Sequence, residues 1–441
     1  MLDIQFIREN KKQVQDAIKN KKIKEKVDVE ELLKLHTEYK QVETQVVELR
    51  TRRNELSDQI RGSDDSKRQG FIDEATQIKA QLHKLEADLK NKKEKVDKLL
   101  LVIPNVTDPK MPVGVSEEDN QVIKKWGEIP EFDFEPKDHV DIGKTLDLID
   151  VEKSAQISGS RFYYLKNEAV LLQFGIIQLV FNTLSNKTLL AEIAKEVGHP
   201  SPTIFSPIIP PVLMKPEIMK KMDRLDPIDE RYVIPKDGLV LIGSAEHTLG
   251  PMHMDEIFEK DDLPVRYVGY STSFRRESGS HGQDVRGILR VHQFDKLEME
   301  TYVSEEQGEV EQKFILAIQE YLVQQLEIPY QLVQICTGDT GKPDYNQFDI
   351  ECWIPSQKKY RETHTSDYMT DYQARRLNIR YKVGEGKKKF VHMNDATAFA
   401  IGRILIAILE NNQKKDGSVV VPQVLQDYVG KEVIAPKQDK A

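Results

Sequence analysis

Two runs of regularly spaced apolar residues constrain this chain more than any other feature. Between residues 30 and 60, Leu32, Leu35, Tyr39, Val42, Val46, Leu49, Leu56 and Ile60 recur at alternating intervals of three and four, with Arg53 filling the one missing position. A second run holds Ala75, Ile78, Leu82, Leu85, Leu89, Val96 and Leu99, with Lys92 in the gap. A helix with that period carries one continuous apolar seam, and such a seam is stable only against another. The intervening RGSDDSKRQG (61–70) has the composition of a turn. The pattern therefore predicts an antiparallel coiled-coil hairpin. With about 30 residues per helix and about 1.5 Å per residue, it reaches on the order of 45 Å.

The remainder of the 441 residues has room for a large core and one or two further domains. No run of 18 apolar residues occurs, so no membrane span is expected. MLDIQFIRENKK carries no apolar stretch followed by a cleavage site, which points to a cytoplasmic chain. The two cysteines, Cys336 and Cys352, lack metal-binding spacing, so reduced buried thiols are expected and zinc held through them is not. A net charge of −9 excludes a generally basic nucleic-acid binder. Local patches remain, with seven lysines in residues 9–26 and the cluster Arg50, Arg52 and Arg53. Such patches bind a polyanion with salt-dependent affinity, although on charge alone a solvated helix face is the simpler reading.

A proline-, glycine- and acid-rich stretch near 104–130 reads as a linker. It separates an arm domain (1–110) from a second domain (111–441). SGSRFYYLKNEAVLLQFGIIQLVFNTL (158–184) combines a short strand and a helix. GLVLIGSAEHTL, RYVGYSTSFRRE, ILRVHQF, QLVQICTG and FDIECWIP read as strands, flanked by helices at roughly 305–327 and 395–412. Strands in long succession with few helices between them predict an α+β domain built on an antiparallel sheet. TGDTGKPD near 337 fails the phosphate-loop spacing, and no HxGH sequence appears.

The chemistry concentrates in SFRRESGSHGQDVRGILRVHQFDKLE (273–298). Arg275 and Glu277 leave the same face if the backbone is extended. A glycine-bearing loop follows, and Arg290, Phe294 and Glu298 lie on the return. Guanidiniums for phosphate, a carboxylate for an exocyclic amine and a ring for stacking are what a nucleoside triphosphate needs. Isolated charges of this kind on a hairpin are ordinarily just solvated, so the order of the residues carries the argument. FRxE, a loop, then RxxxF resembles motif 2 of the class II aminoacyl-tRNA synthetases, and HQFDKLE is similar to the seryl-tRNA synthetases. MLDIQFIREN, VIPNVTDPKMPVG and WGEIPEFDFEPKDHVDIG resemble the N-terminal region of the same family, and the resemblance covers almost the whole chain.

That resemblance implies ATP-dependent activation of serine to seryl-adenylate, then transfer of serine to the 3′ end of tRNA(Ser), with tRNA(Sec) admitted as a second acceptor. Ser206–Leu213 looks like motif 1, which implies a homodimer. Ser244-Ala245-Glu246 is similar to the element that grips the serine ammonium group, joined by Arg275, Glu298 and Thr397. Arg275 and Arg403 are the implied catalytic residues. For ATP the implied contacts are Arg275, Arg276, Glu277, Val291, Phe294, Glu362, Thr363, His364, Thr365 and Arg403. Glu362 and Thr365 are the implied ligands for magnesium, as hard oxygen donors. The coiled-coil arm and the motif 2 loop (278–286) are the implied contacts to tRNA. Ser244 and Thr365 depart from the family pattern but keep a hydroxyl, whereas His364, Asp395, Ala396 and Ala398 depart more sharply. A role for residues 186–203 is not evident from the sequence. A paralogue that loads an aminoacyl group onto a carrier protein, or only binds, is the alternative, and the retained arm weighs against it. A purely structural coiled coil leaves 240–410 without a purpose.

Overall fold

The computed structural model describes residues 1–25, 27–278, 286–384 and 386–437. It divides into two compact units, Met1–Val106 and Thr107–Ala441.

In the first unit, two short helices (Ile4–Glu9 and Lys11–Asn20) precede two long ones, Val29–Gly62 and Asp65–Val102. Asp28 caps the first long helix by accepting from the amides of Glu30 and Glu31. Only Ser63 and Asp64 stand between the long helices, so the turn is shorter than its ten-residue composition suggests. The polar residues 65–69 cost little on a solvated helix face, and Asp65 falls in a first turn that favours a carboxylate. The helices therefore run to 34 and 38 residues, beyond the expected length. Val46, Leu56, Ile78 and Leu82 form the buried seam. Lys92, in its heptad gap, donates to Glu38 across the hairpin at 2.8 Å, and Arg50 and Arg52 pair with Glu86 and Glu74. Exposed pairs of this kind contribute about 0–1 kcal/mol each, so the apolar seam carries the stability.

The second unit is an α+β domain on an eight-stranded sheet. Its strands, numbered in chain order, are β1 (Gln121–Trp126), β2 (Ser206–Ile208), β3 (Val265–Phe274), β4 (Gln293–Val303), β5 (Tyr330–Gln334), β6 (Asn346–Ile354), β7 (Lys359–Thr370) and β8 (His392–Ala400). Their order is β1-β5-β6-β7-β8-β4-β3-β2. Every pairing is antiparallel except that of β2 with β3. Helices Glu168–Leu184, Gly308–Gln325 and Ile401–Asn411 contribute Leu172, Ile176, Phe314, Ile318, Leu405 and Ile408 to one core with the sheet. Among the described residues no single helix is long and apolar enough to cross a membrane.

Several local expectations change. The stretch 104–130 is not a plain linker, because β1 lies within it and pairs with β5. Residues 395–400 belong to β8, and the helix begins only at Ile401. Strand β4 starts at Gln293, so most of ILRVHQF is irregular. In GLVLIGSAEHTL the strand covers only Leu239–Leu241, and a short helix takes Glu246–Leu249. Residues 186–203 acquire a structural role. Helix Lys187–Val197 buries Leu190, Ile193 and Ala194, and His199 joins Glu311 and Arg266 in a buried ion cluster.

Candidate active site

The site forms where four strands of the sheet end or part. Strand β3 stops at Phe274, and the next residues leave the ladder while the Arg275 amide donates to the His292 carbonyl. Glu277 does not continue an extended chain from Arg275. Its φ of 50° is left-handed, and its carboxylate turns back to accept from Arg290 at 3.1 Å. Phe294 stands opposite Ser273 on the return strand, which places its ring 5.3 Å from the Arg275 guanidinium.

On the far side, β7 and β8 are paired from Ser366 and Ala396 onward and then separate. Gln319, buried on helix Gly308–Gln325, bridges the parting by donating to the carbonyls of Thr365 and Thr397, each at 2.7 Å. The two threonine hydroxyls lie 3.2 Å apart. Beyond the gap, the Ile401–Asn411 helix opens with Gly402, where a side chain would press on the Ile288 carbonyl. Arg403 follows and donates to both the backbone carbonyl and the carboxylate of Glu362 at 2.8 Å.

One cavity results, lined by Arg275, Glu277, Val291, Phe294, Lys296, Glu362, Thr363, Thr365, Thr397 and Arg403. Two guanidiniums 128 positions apart in the chain thus share a cleft with carboxylates and an aromatic ring. Desolvation pushes the Glu362 carboxyl upward, but Arg403 and then Arg275 more than offset it and hold the group below its ordinary value. Glu362 therefore presents an ionised oxygen pair beside the Thr365 hydroxyl, a hard donor set that suits magnesium.

Next to this cavity, past Lys296 and Thr397, lies a buried charged cluster. Glu246, Glu298 and Asp395 bring their oxygens within 4.8 Å of one another. Lys296 pairs with Glu298 and donates to the Ser244 hydroxyl at 3.1 Å. Arg224 reaches Glu246 at 2.9 Å and Asp395 at 3.3 Å. Burial pushes Glu298 up to about 7, although Lys296 opposes it. Burial and the neighbouring Glu246 push Asp395 well above its ordinary value. Glu246 moves the other way: burial is outweighed by Arg224 and His247. His247 is pushed down to about 4 by burial, and its Nδ1 accepts from the Gly243 amide. The ring is therefore neutral and turns its Nε2 proton toward Glu246, 3.4 Å away.

Three expected contacts are placed elsewhere. Arg276 extends away from the cavity, donating to the Arg231 carbonyl at 2.9 Å with its guanidinium 4.8 Å from the Tyr232 ring. His364 lies inside the core, bonded through Nδ1 to the Thr363 hydroxyl at 2.8 Å and packed beside Phe399; burial pushes it down to about 3. A bulge in the β6–β7 ladder between Ile350 and Glu351 changes the alternation there, so Glu362 and Thr365 face the cavity while His364 does not. Ala245 is fully buried and does not line the cavity. Most of the loop 278–286 lies outside the described residues. Two contributors escaped sequence reasoning. Lys296 shares a strand face with Phe294 and Glu298, a signal that could have found it, whereas Arg224 sits in KKMDRLDP with no pattern to mark it.

The family model of the seryl-tRNA synthetase N-terminal domain matches residues 1–107, and that of the tRNA synthetase class II core domain (G, H, P, S and T) matches residues 232–412. With the site geometry, these matches define a class II aminoacyl-tRNA synthetase. A serine–tRNA ligase of Dictyoglomus turgidum is 39% identical over 441 residues, covering 99% of this chain and 100% of that protein. One from Treponema denticola is 38% identical over 436 residues, covering 98% and 99%. The crystal structure of seryl-tRNA synthetase from Pyrococcus horikoshii complexed with ATP superposes with a TM-score of 0.87 at 36% identity, covering 99% of this chain and 100% of that one. The chain belongs to the seryl-tRNA synthetase family.

Proposed function

We propose that the cavity between Arg275 and Arg403 binds ATP and serine side by side and joins them as seryl-adenylate. As a member of its family the chain is an ATP-dependent ligase that charges tRNA with serine. The observation that carries the assignment of roles is the meeting of Arg275, Glu277, Phe294, Glu362 and Arg403 in one cleft.

In this reading the serine carboxylate oxygen attacks the α-phosphorus, and the bond to the β-phosphate oxygen breaks with release of pyrophosphate. Arg275 holds the α-phosphate and the serine carboxylate together, and Arg403 draws off charge from the terminal phosphate. Glu277, oriented by Arg290, reads the adenine amine, and the base stacks on Phe294. Positioning and charge neutralisation supply the rate, since no side chain needs to form a covalent bond. Glu362 and Thr365 would hold magnesium, which supplies positive charge to the phosphates when bound. Glu246 and Glu298 receive the serine ammonium group, and Glu298 with Thr397 recognises the hydroxyl. A site built to bond a hydroxyl rejects the analogue lacking it by about 10⁴–10⁵. A ribose hydroxyl at the tRNA 3′ end then attacks the carbonyl carbon and AMP departs.

The coiled-coil arm and the loop 278–286 are the proposed tRNA contacts, and the cytoplasm the proposed compartment. The segment around Ser206–Leu213 is the proposed face of a homodimer, supported by Ile209 at 79% exposure beside the sheet-edge strand β2. Exchange of labelled pyrophosphate into ATP, run with each of the twenty amino acids, tests the first half-reaction. Charging of tRNA(Ser) tests the second. Exchange with serine and no tRNA charging would favour a carrier-protein ligase.

A further inference from the structure

Carboxylates gathered in a buried place repel one another, and something must hold them ionised if they are to receive an ammonium group. Lys296 serves Glu298. Glu246 and Asp395 share one guanidinium, and His247 faces Glu246 as well. Arg224 touches Glu246 at 2.9 Å through Nε, and through Nη2 it touches Asp395 at 3.3 Å and approaches Asp344 at 3.8 Å. These acids come from distant parts of the chain: a short helix, strand β8 and the segment before β6. One planar guanidinium thus ties together the walls of the pocket, a geometry that the point charge of a lysine would not reproduce.

The backbone of Arg224 is itself fixed. Its carbonyl accepts two bonds from the Arg231 guanidinium, at 3.0 and 2.6 Å, and its amide donates to the Met219 carbonyl at 3.1 Å. The preceding Asp223 is bonded by Lys342 at 3.1 Å and Tyr372 at 3.2 Å. Much of the surrounding structure is thus spent on aiming one side chain at Glu246 and Asp395.

We infer that Arg224 is a positioning residue for amino-acid recognition: it holds Glu246 ionised and aimed at the substrate ammonium group while neutralising Asp395 beside it. The inference rests on the serine-activating reading of the cavity. Without Arg224, Glu246 and Asp395 face each other in a poorly solvated place, and one of them takes a proton or swings away. Serine binding is then lost while the ATP side of the cleft, built on Arg275, Phe294 and Arg403, remains.

The test is serine-dependent pyrophosphate exchange on the full chain, with KM for serine, KM for ATP and kcat measured separately. Arg224→Gln is expected to raise KM for serine by at least about tenfold and to leave KM for ATP within about twofold. Adding Asp395→Asn to that variant is expected to recover most of the loss, because the repulsion goes with the charge. Arg224→Lys, which keeps the charge without the fork, is expected to fall between the two. Equal changes in both KM values, no change in the serine KM, or no recovery in the double variant would overturn the proposal. If Arg224→Gln fails to fold by circular dichroism, Arg224→Lys and the double variant decide by the same measures. Absence of serine-dependent exchange in the unaltered protein would instead overturn the serine-activating reading itself.

Discussion

Arg275 and Arg276 are adjacent, equally charged and both expected at the nucleotide, yet only Arg275 reaches the cavity. Neighbouring side chains leave the chain in different directions, so Arg275 turns into the cavity and Arg276 toward the Arg231 carbonyl. Residue types were legible here, but their directions were not. His364 shows the same limit, since a bulge at Thr363 within its own strand decides which members of Glu362–Thr365 face the cleft. Arg224 marks the other limit: its importance comes from acids that the fold brings to it, and no spacing along the chain announces that. Arg275→Gln is expected to slow serine-dependent pyrophosphate exchange by about 10²–10³ with the fold intact, as loss of one preorganised donor at a developing charge does. Rates with unchanged circular dichroism check this. At the ion cluster, Arg266 and His199 outweigh burial and hold Glu311 down to about 2, below its unfolded value of 4.5. A depressed carboxyl contributes stability that is present above pH 4.5 and is lost as pH falls toward 2, on the order of 3 kcal/mol here. Urea unfolding measured across that window should show the decline, and Glu311→Gln should flatten it while lowering stability at pH 7.

Elements with one strong period were the easiest to read. The arm helices follow their heptads, and only the turn is shorter than its composition suggests, because polar residues mark a turn and a solvated helix end alike. The stretch ahead of Arg403 misled for a different reason. NDATAFA is short-chained and precedes an amphipathic helix, yet it forms β8, in the interior of the sheet and buried along nearly its whole length. A strand buried on both faces loses the alternation that would identify it. For the arm, the buried seam predicts that Val46→Asp with Leu56→Asp opens the outer part of the hairpin. Pyrophosphate exchange should stay within about twofold, because the cavity lies wholly in the other unit, while kcat/KM for tRNA charging should fall by at least about tenfold. An equal loss in both assays would show that the arm serves the catalytic unit instead.

At the scale of the whole molecule, the proposed pairing of two copies makes a further demand on the protein. Ile209→Asp places a charge on the most exposed of the large apolar residues near β2, and a twofold interface would meet that charge twice. Sedimentation velocity should then show the monomer at concentrations where the unaltered protein sediments as a dimer. A species unchanged by the substitution would move the interface elsewhere. The division of the chain carries a consequence of its own. The polypeptide passes from the hairpin unit to the sheet unit once, near Val106, and never returns. With the arm as the proposed reader of the nucleic acid, that part joins the rest at one splice point, like a cassette. On that proposal, which acceptor is chosen is set in the first quarter of the chain and the chemistry of activation in the rest.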